Sequence, residues 1–476
     1  MSFKKFLPIA FFFISFFLLS FKLSQSVFFE GDLARDLYEI EKISFGDITL
    51  LGPKGSFGGI YTAPYYYYLF LPAFLLTGRS IKGVIFFNAL LFSFIIAFLS
   101  YFFILKFKKP SSLLAPLSLM LFPFFIFSGR NPGNGFSHIP FFILFLSLVY
   151  FFDINKFNFL KILSLGLLFG FIISMQFSYF PLVIPILLFL FFIFKDKRSF
   201  FVFLCGVGLA FSPLFLFEIK NHFIMLKNTF VDRSYLSFVE NKNLPHGVKL
   251  SKNPFSNLGF LFNQLSFYLN FNSILIILFI FFSIFFTKKT RLKLLNFFVI
   301  FSFFILVFLL RFQYSFHYLL PFLTFLSFSF LITLIELKIE KFILPVVLIF
   351  LIFNFSKSYY QKASRSYDKV GKRVEKILAK NWFKKDDKLN VLFLRSDDAP
   401  TPAGFEYRFF LLKNGYKTLD QFSYSISDKL LLISEKPDIN LNKIKNWELS
   451  EFNPSKARSI KTYKIDGGVI IYFLEK

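Results

Sequence analysis

The sequence predicts an all-α polytopic membrane protein of about eleven spanning helices, with a small C-terminal α/β domain outside the cytoplasm. Three observations predict it. Apolar residues make up 55% of the chain, and Phe alone supplies 85 of its 476 residues, more apolar surface than a soluble domain of this length can hide. Apolar runs of about seventeen residues or more recur, the length a helix needs to cross a bilayer core. Lys and Arg outnumber Asp and Glu by 54 to 28, and the excess gathers in alternate connections between the apolar runs.

Phe is abundant together with Lys, Ile, Asn and Leu, so its excess reads as compositional bias and lipid-facing surface rather than as a stacking device. The one cysteine, Cys205, lies inside an apolar run, which excludes an internal disulfide and a cysteine metal site. The net charge of +26 follows the membrane and gives no reason to invoke nucleic acid.

Spans are expected near 5–23, 83–105, 112–128, 138–152, 160–176, 177–194, 199–218, 269–286, 294–310, 317–335 and 341–355. One set of connections holds "SFKK", "KFKKP", "DINKFNFLK", "KDKRS", "TKKTRLK" and "ELKIEK", each with at least two Lys or Arg. The short loops of the other set, "GRNPGNG", "QFSYFP" and "RFQYS", hold at most one. Basic short loops mark the cytoplasmic side, so the N-terminus is expected inside and, with an odd number of spans, the C-terminus outside. A cleaved signal peptide is the competing reading of residues 1–25, but the apolar core is long for one and "LSQS" is a poor cleavage site.

The expected division is therefore a membrane part, 1–355, with outer loops 24–82 and 219–268, and an outer domain, 356–476. In that domain Val370, Val374, Ile377 and Leu378 recur at helical spacing. "LNVLFLR" and "KLLLIS" read as buried strands, and "AGFEYRFFLLKNG" as a helix stopped by Gly415. "KTYKIDGGVIIYFL" reads as a terminal hairpin turning at Asp466-Gly467-Gly468.

Straight after the first apolar run, "FFEGDLARDLYEIEKISFGDITLLGP" gathers Glu30, Asp32, Asp36, Glu39, Glu41 and Asp47. "DLARDLYEIEKI" can form a helix with Asp32 and Asp36 as i,i+4 neighbours on one face. Held near lipid headgroups, two carboxylates can act as a general base on an acceptor hydroxyl or amine, or bind a divalent cation that neutralises a lipid phosphate. A solvated interfacial helix, with acids favoured at its N-terminal turn, explains the same spacing.

The wider order is Asp32 in "DLARDLYEIEKI", then "GDITLLGP", then "GGIYTAPYYYYLFLPAF" before the second span. It resembles the membrane-embedded GT-C glycosyltransferases, in particular the protein O-mannosyltransferase and lipid A aminoarabinose transferase group. "FHYLLPF" is similar to that group's late Tyr-Leu-Leu-Pro stretch. The resemblance implies a GT-C-like fold and transfer of a sugar from a polyprenyl-phosphate donor to a lipid, glycan or protein acceptor at the outer face of the cytoplasmic membrane. It implies Asp32 as the catalytic base, Arg35 as the family's Arg, and a cation or basic side chains at the departing phosphate; Arg35 and Asp36 are candidates for substrate contact, and the paired carboxylates make Asp36 a metal-binding candidate as well. Three positions depart from the pattern: Leu33 stands at the family's Glu, Asp36 at its Tyr, and Ala63 at its Lys.

Further candidates for donor or sugar contact are Tyr61 and Tyr65, which also suit an interfacial aromatic belt. Arg130, in a glycine-rich turn, and Arg311 and His317, at an outer helix edge, are candidates for phosphate. His138, His222, His246 and His317 lack metal-ligand spacing. Two other functions stay open. A lipid-linked oligosaccharide flippase or other transporter would show mid-span charge pairs and broken helices, whereas these spans are almost charge-free. A non-catalytic scaffold with the outer domain as a binding module is kept open by Leu33.

Overall fold

The computed structural model describes residues 6–29, 31–55, 59–232, 253, 255, 257–309, 316–396, 403–436, 439–441, 444, 446–465 and 467–476. In chain order the helices used below are α1 (Leu7–Ser20), α2 (Gly31–Ser44), α3 (Tyr65–Leu76), α4 (Ile81–Phe107), α5 (Leu114–Leu121), α6 (Pro123–Arg130), α7 (Ile139–Phe151), α8 (Phe159–Met175), α9 (Phe180–Ile193) and α10 (Lys197–Ala210). They continue as α11 (Ser212–Lys220), α12 (Leu258–Leu269), α13 (Ser273–Phe286), α14 (Thr290–Leu309), α15 (Phe316–Glu336), α16 (Glu340–Phe353), α17 (Tyr367–Leu378), α18 (Phe405–Lys413) and α19 (Trp447–Phe452). Strands β1 (Leu389–Leu394), β2 (Lys429–Ser434), β3 (Ser459–Ile465) and β4 (Val469–Glu475) form one sheet.

The chain forms two compact units: Met1–Leu23, Ile48–Leu76 and Lys82–Tyr359 make the first, and Ser24–Asp47, Thr77–Ile81 and Tyr360–Lys476 the second.

The first unit holds most of the apolar helices. Each expected spanning segment holds helix, but among the described residues four helices are long and apolar enough to cross a membrane, or eight if each of four bent pairs is one span. That is fewer than the expected eleven. Two expected spans form short helices, α7 with 13 residues and α16 with 14, and the expected spans 160–176 and 177–194 form a single bent pair. Pro123 opens α6 and bends it 59° from the preceding helical segment, and the break after Ala210 bends α10 and α11 by 54°. Gln176 separates α8 from the segment containing α9 at 110°, and Asn270, with φ of 49°, stands at the 92° break between α12 and α13. Each break interrupts the backbone ladder that a continuous span would keep.

Close packing in this unit depends on small residues. A Cβ on Gly166 would lie 2.1 Å from the Phe203 carbonyl oxygen, and one on Gly206 2.4 Å from that of Leu163, so α8 and α10 touch backbone to backbone. In the apolar interior Asn296 donates to Ser283 Oγ (2.6 Å) and Thr333 Oγ1 (3.0 Å) and accepts from Ser329 (2.5 Å). Those bonds join α13, α14 and α15 where no water could satisfy the amide.

Connections that share a charge character in the sequence also meet in space. Among the basic ones, Asn155 Oδ1 accepts from the Lys195 amide at 2.8 Å and Arg291 donates to the Phe152 carbonyl at 2.8 Å. Lys289 pairs with Glu336, and Lys109 approaches Glu340 at 3.6 Å. Among the poorly basic ones, a Cβ on Gly135 would meet His317 Cβ at 3.0 Å and Gln176 Nε2 at 3.6 Å.

In the second unit the strand order is β1-β2-β4-β3, with β1 and β2 parallel and the remaining pairs antiparallel. The parallel pair needs a crossover, which α18 supplies. Val370, Val374 and Ile377 are buried as their spacing predicts, whereas Leu378 is only half-buried. The hairpin pairs Ile465 with Val469; Asp466 lies outside the described residues. Leu392, Leu430, Leu432, Tyr472 and Leu474 pack with Tyr424 and with Leu449 and Phe452 of α19. Arg408, 1% exposed, donates to the carbonyls of Ala403, Leu419 and Val391, to Thr418 Oγ1 and to the Asn390 side chain. These acceptors offset the desolvation of a buried guanidinium.

Candidate active site

The acidic segment folds with the second unit, so its side chains answer to that unit's packing. Phe29 donates its amide to the Arg365 carbonyl (2.9 Å) and sets its ring edge-on to Tyr367, Phe409 and Phe410. The α2 N-terminus is closed by a distant carboxylate: the Gly31 amide donates to Glu406 Oε1 at 3.2 Å. Further along, Tyr38 packs on Phe405 and lies 3.4 Å from Thr418 Oγ1.

This packing separates the two aspartates that spacing placed on one face. Asp32 is 73% exposed, whereas the Asp36 side chain is wholly buried. Asp36 sits three residues after Leu33 and four before Ile40, inside the apolar stripe of Leu33, Leu37 and Ile40, and that stripe turns inward. Arg35 links the pair. Its Nη1 donates to Asp32 Oδ1 at 2.8 Å, while Nε and Nη2 donate to Asp36 Oδ1 at 3.1 and 2.9 Å. Among the described residues Asp36 Oδ2 has no hydrogen-bond partner. Burial is the largest influence on Asp36 and raises its pKa to about 7, against the opposing pull of the Arg35 charge.

Sequence reading missed a second group one turn further on. Glu41 is fully buried with neither carboxylate oxygen hydrogen-bonded among the described residues, and its burial raises its pKa in spite of the charges of Arg79 and Lys413. Lys413 Nζ donates to the Arg79 carbonyl at 2.8 Å and to Tyr367 Oη at 3.3 Å. Only the carboxylate was visible in sequence, because Arg79 and Lys413 come from distant segments.

The remaining candidates lie in the first unit, apart from Arg311, which is outside the described residues. Tyr61 and Tyr65 pack on an apolar cluster of Ala63, Leu214 and Met225, and Tyr65 donates to the Ala210 carbonyl at 2.6 Å. Arg130 is buried, and its Nη1 donates to the carbonyls of Leu18, Leu19 and Phe21 at 3.3, 2.9 and 3.0 Å, closing the end of α1. Half-buried His317 neighbours Gly135 and Gln176. Beside that turn, His138 contacts Tyr179 Oη at 2.7 Å and the Gly135 carbonyl at 2.9 Å.

No protein-family model and no curated protein sequence matches the chain. Solved structures do. ArnT from Cupriavidus metallidurans bound to undecaprenyl phosphate superposes with a TM-score of 0.60 at 10% identity, covering 98% of this chain and 97% of that one. Its apo state gives 0.59 over the same shares at the same identity. The chain shares the fold of that ArnT structure over nearly its whole length. An oligosaccharyltransferase from Archaeoglobus fulgidus, in complex with Zn and sulfate, gives 0.48 at 12% identity over 89% and 67%.

Two of the three departures from the GT-C pattern, Leu33 and Ala63, are packing residues here. Leu33 is buried in the α2 stripe, and Ala63 is fully buried with its amide on the Ser174 carbonyl at 2.8 Å. The acidic helix also suits a guanidinium better than a divalent ion. Both aspartates give an oxygen to Arg35, and a calcium-type site needs about six oxygen ligands. Among the described residues no three His, Cys, Asp or Glu side chains gather as a metal site.

Proposed function

We propose that this protein transfers a sugar from a polyprenyl-phosphate donor to an acceptor at the outer face of the cytoplasmic membrane. The N-terminus would be cytoplasmic and the C-terminal domain extracytoplasmic. One observation carries the reading: in a chain that shares the ArnT fold, the helix after the first apolar helix presents an exposed aspartate, Asp32, tethered by Arg35 to a buried one. Asp32 is the proposed general base. Its exposure lets an acceptor hydroxyl or amine reach it, which the enclosed Asp36 does not permit. As the acceptor atom bonds to the anomeric carbon, Asp32 takes its proton, the carbon–oxygen bond to the lipid phosphate breaks, and the configuration inverts. Cationic groups at the departing phosphate stabilise the charge that develops there; Arg35 is proposed for this work. Arg130, occupied with α1, and Tyr65, occupied with Ala210, serve the scaffold. No step passes through a metal.

The test is release of polyprenyl phosphate from a radiolabelled polyprenyl-phosphate sugar by the full chain in lipid nanodiscs. Asp32→Asn keeps the shape and removes proton acceptance, so turnover should fall by ~10²–10⁴-fold with donor binding retained. Equal small losses for Asp32→Asn and Asp36→Asn would mark a solvated acidic face and end the base assignment.

A further inference from the structure

Asp36 stands where packing alone would favour an apolar residue. Leu33, Leu37 and Ile40 of α2 are buried, and the Asp36 side chain among them is wholly enclosed. With Oδ2 unpartnered among the described residues, the carboxyl costs stability that an apolar side chain there would not. A buried polar group left partly unsatisfied calls for a role beyond packing.

That role is visible in what Oδ1 holds. Arg35 Nε and Nη2 converge on it at 3.1 and 2.9 Å, while Nη1 reaches Asp32 Oδ1 at 2.8 Å. The contact with Asp32 would fix little by itself, because an exposed i,i+3 ion pair between mobile side chains is weak. Two nitrogens on one enclosed oxygen set the plane of the guanidinium, and with it the direction of the third nitrogen. The helix that carries Oδ1 is itself anchored within the second unit. Its first amide, that of Gly31, donates to Glu406 Oε1, and Tyr38 packs on Phe405. Asp32 is therefore held through Oδ1, which leaves Oδ2 as the oxygen for the acceptor's proton. A carboxyl protonated on Oδ2 still accepts through Oδ1, so the grip on Arg35 does not depend on the charge of Asp36.

We propose that Asp36 is a positioning residue, which orients Arg35 and, through Arg35, the base Asp32 for sugar transfer. The inference rests on the transferase reading above. Its test uses the full chain in lipid nanodiscs and follows polyprenyl phosphate released from the labelled donor. Asp36→Ala removes both oxygens. Its kcat should fall on the order of tenfold or more with the donor KM within about threefold of wild type, because the charge that Arg35 meets grows as the bond to phosphate breaks. The urea midpoint of the second unit should not fall, since the variant removes a buried, partly unsatisfied carboxyl. Asp36→Asn keeps an acceptor oxygen and should recover most of the lost kcat. In an Arg35→Gln background Asp36→Ala should lower kcat no further, since its effect runs through Arg35. Losses that multiply in the double variant, an unchanged kcat in Asp36→Ala, a loss confined to KM, or a loss of kcat matched by a lower urea midpoint would overturn the proposal. The transferase reading fails separately. Asp32→Asn turning over like the wild type removes the base, whereas a large loss at Asp32 with multiplying losses at Arg35 and Asp36 removes only the positioning role.

Discussion

Asp36→Asn should change the stability of the second unit in a pH-dependent way whose sign follows from burial. The ordinary aspartate value is 3.8, and the buried Asp36 carboxyl titrates at about 7. Between those values the unfolded chain has lost its proton while the folded chain keeps it. The folded state is therefore favoured below the lower value and loses that advantage as pH rises towards 7. A tenfold difference in proton affinity between the folded and unfolded chain corresponds to about 1.36 kcal/mol, so the loss across the window is roughly 4 kcal/mol at most. Asn does not titrate. The stability of Asp36→Asn relative to wild type should thus rise by roughly 2–3 kcal/mol between about pH 5 and pH 8, whatever offset the altered contact with Arg35 imposes. The chain supplies its own probe, because its two tryptophans, Trp382 and Trp447, both lie in the second unit. Their rings stand 5.8 Å from Phe473 and 6.2 Å from Tyr424, so their emission follows unfolding of the unit that holds Asp36. Urea titrations of both proteins in detergent micelles across that range give the comparison. A difference independent of pH, or one that falls as pH rises, would refute the burial of an aspartate that stays protonated near neutrality.

Other outcomes follow from single features. Arg408→Met leaves the Asn390 side chain and several carbonyls without their donor, and should cost the second unit at least about 3 kcal/mol, read by the same tryptophan emission. Gly166→Ala drives a methyl into the Phe203 carbonyl oxygen; overpacking of this kind costs ~1–3 kcal/mol or more, and thermal aggregation of the detergent-solubilised chain should begin at a lower temperature. Alkaline phosphatase fused after Lys476 should be active in bacterial cells, and an inactive fusion would reverse the proposed orientation of the C-terminal domain.

Hydropathy alone determined that this chain belongs in a membrane, because apolar runs of spanning length have no other home. The C-terminal elements were legible for a similar local reason: alternating and helical apolar spacing in "LNVLFLR", "KLLLIS" and "YDKVGKRVEKIL" states which face must be covered. The number of continuous spans was not legible. A proline or a Gln in an apolar run can be absorbed or can bend the helix by 110°, as at Gln176, and neighbouring helices decide which. At the candidate site the sequence supplied the helix and its carboxylates, and Asp36 even carried a warning, since it interrupts the stripe of Leu33, Leu37 and Ile40. Spacing says that Asp32 and Asp36 are neighbours but not which one water reaches. That was decided by tertiary packing: α2 folds with the C-terminal unit, burying Asp36 and leaving Asp32 exposed, so that one charged pattern yields two carboxyl groups with different chemistry. Burial depends on partners far away in the chain, which no local window of sequence contains.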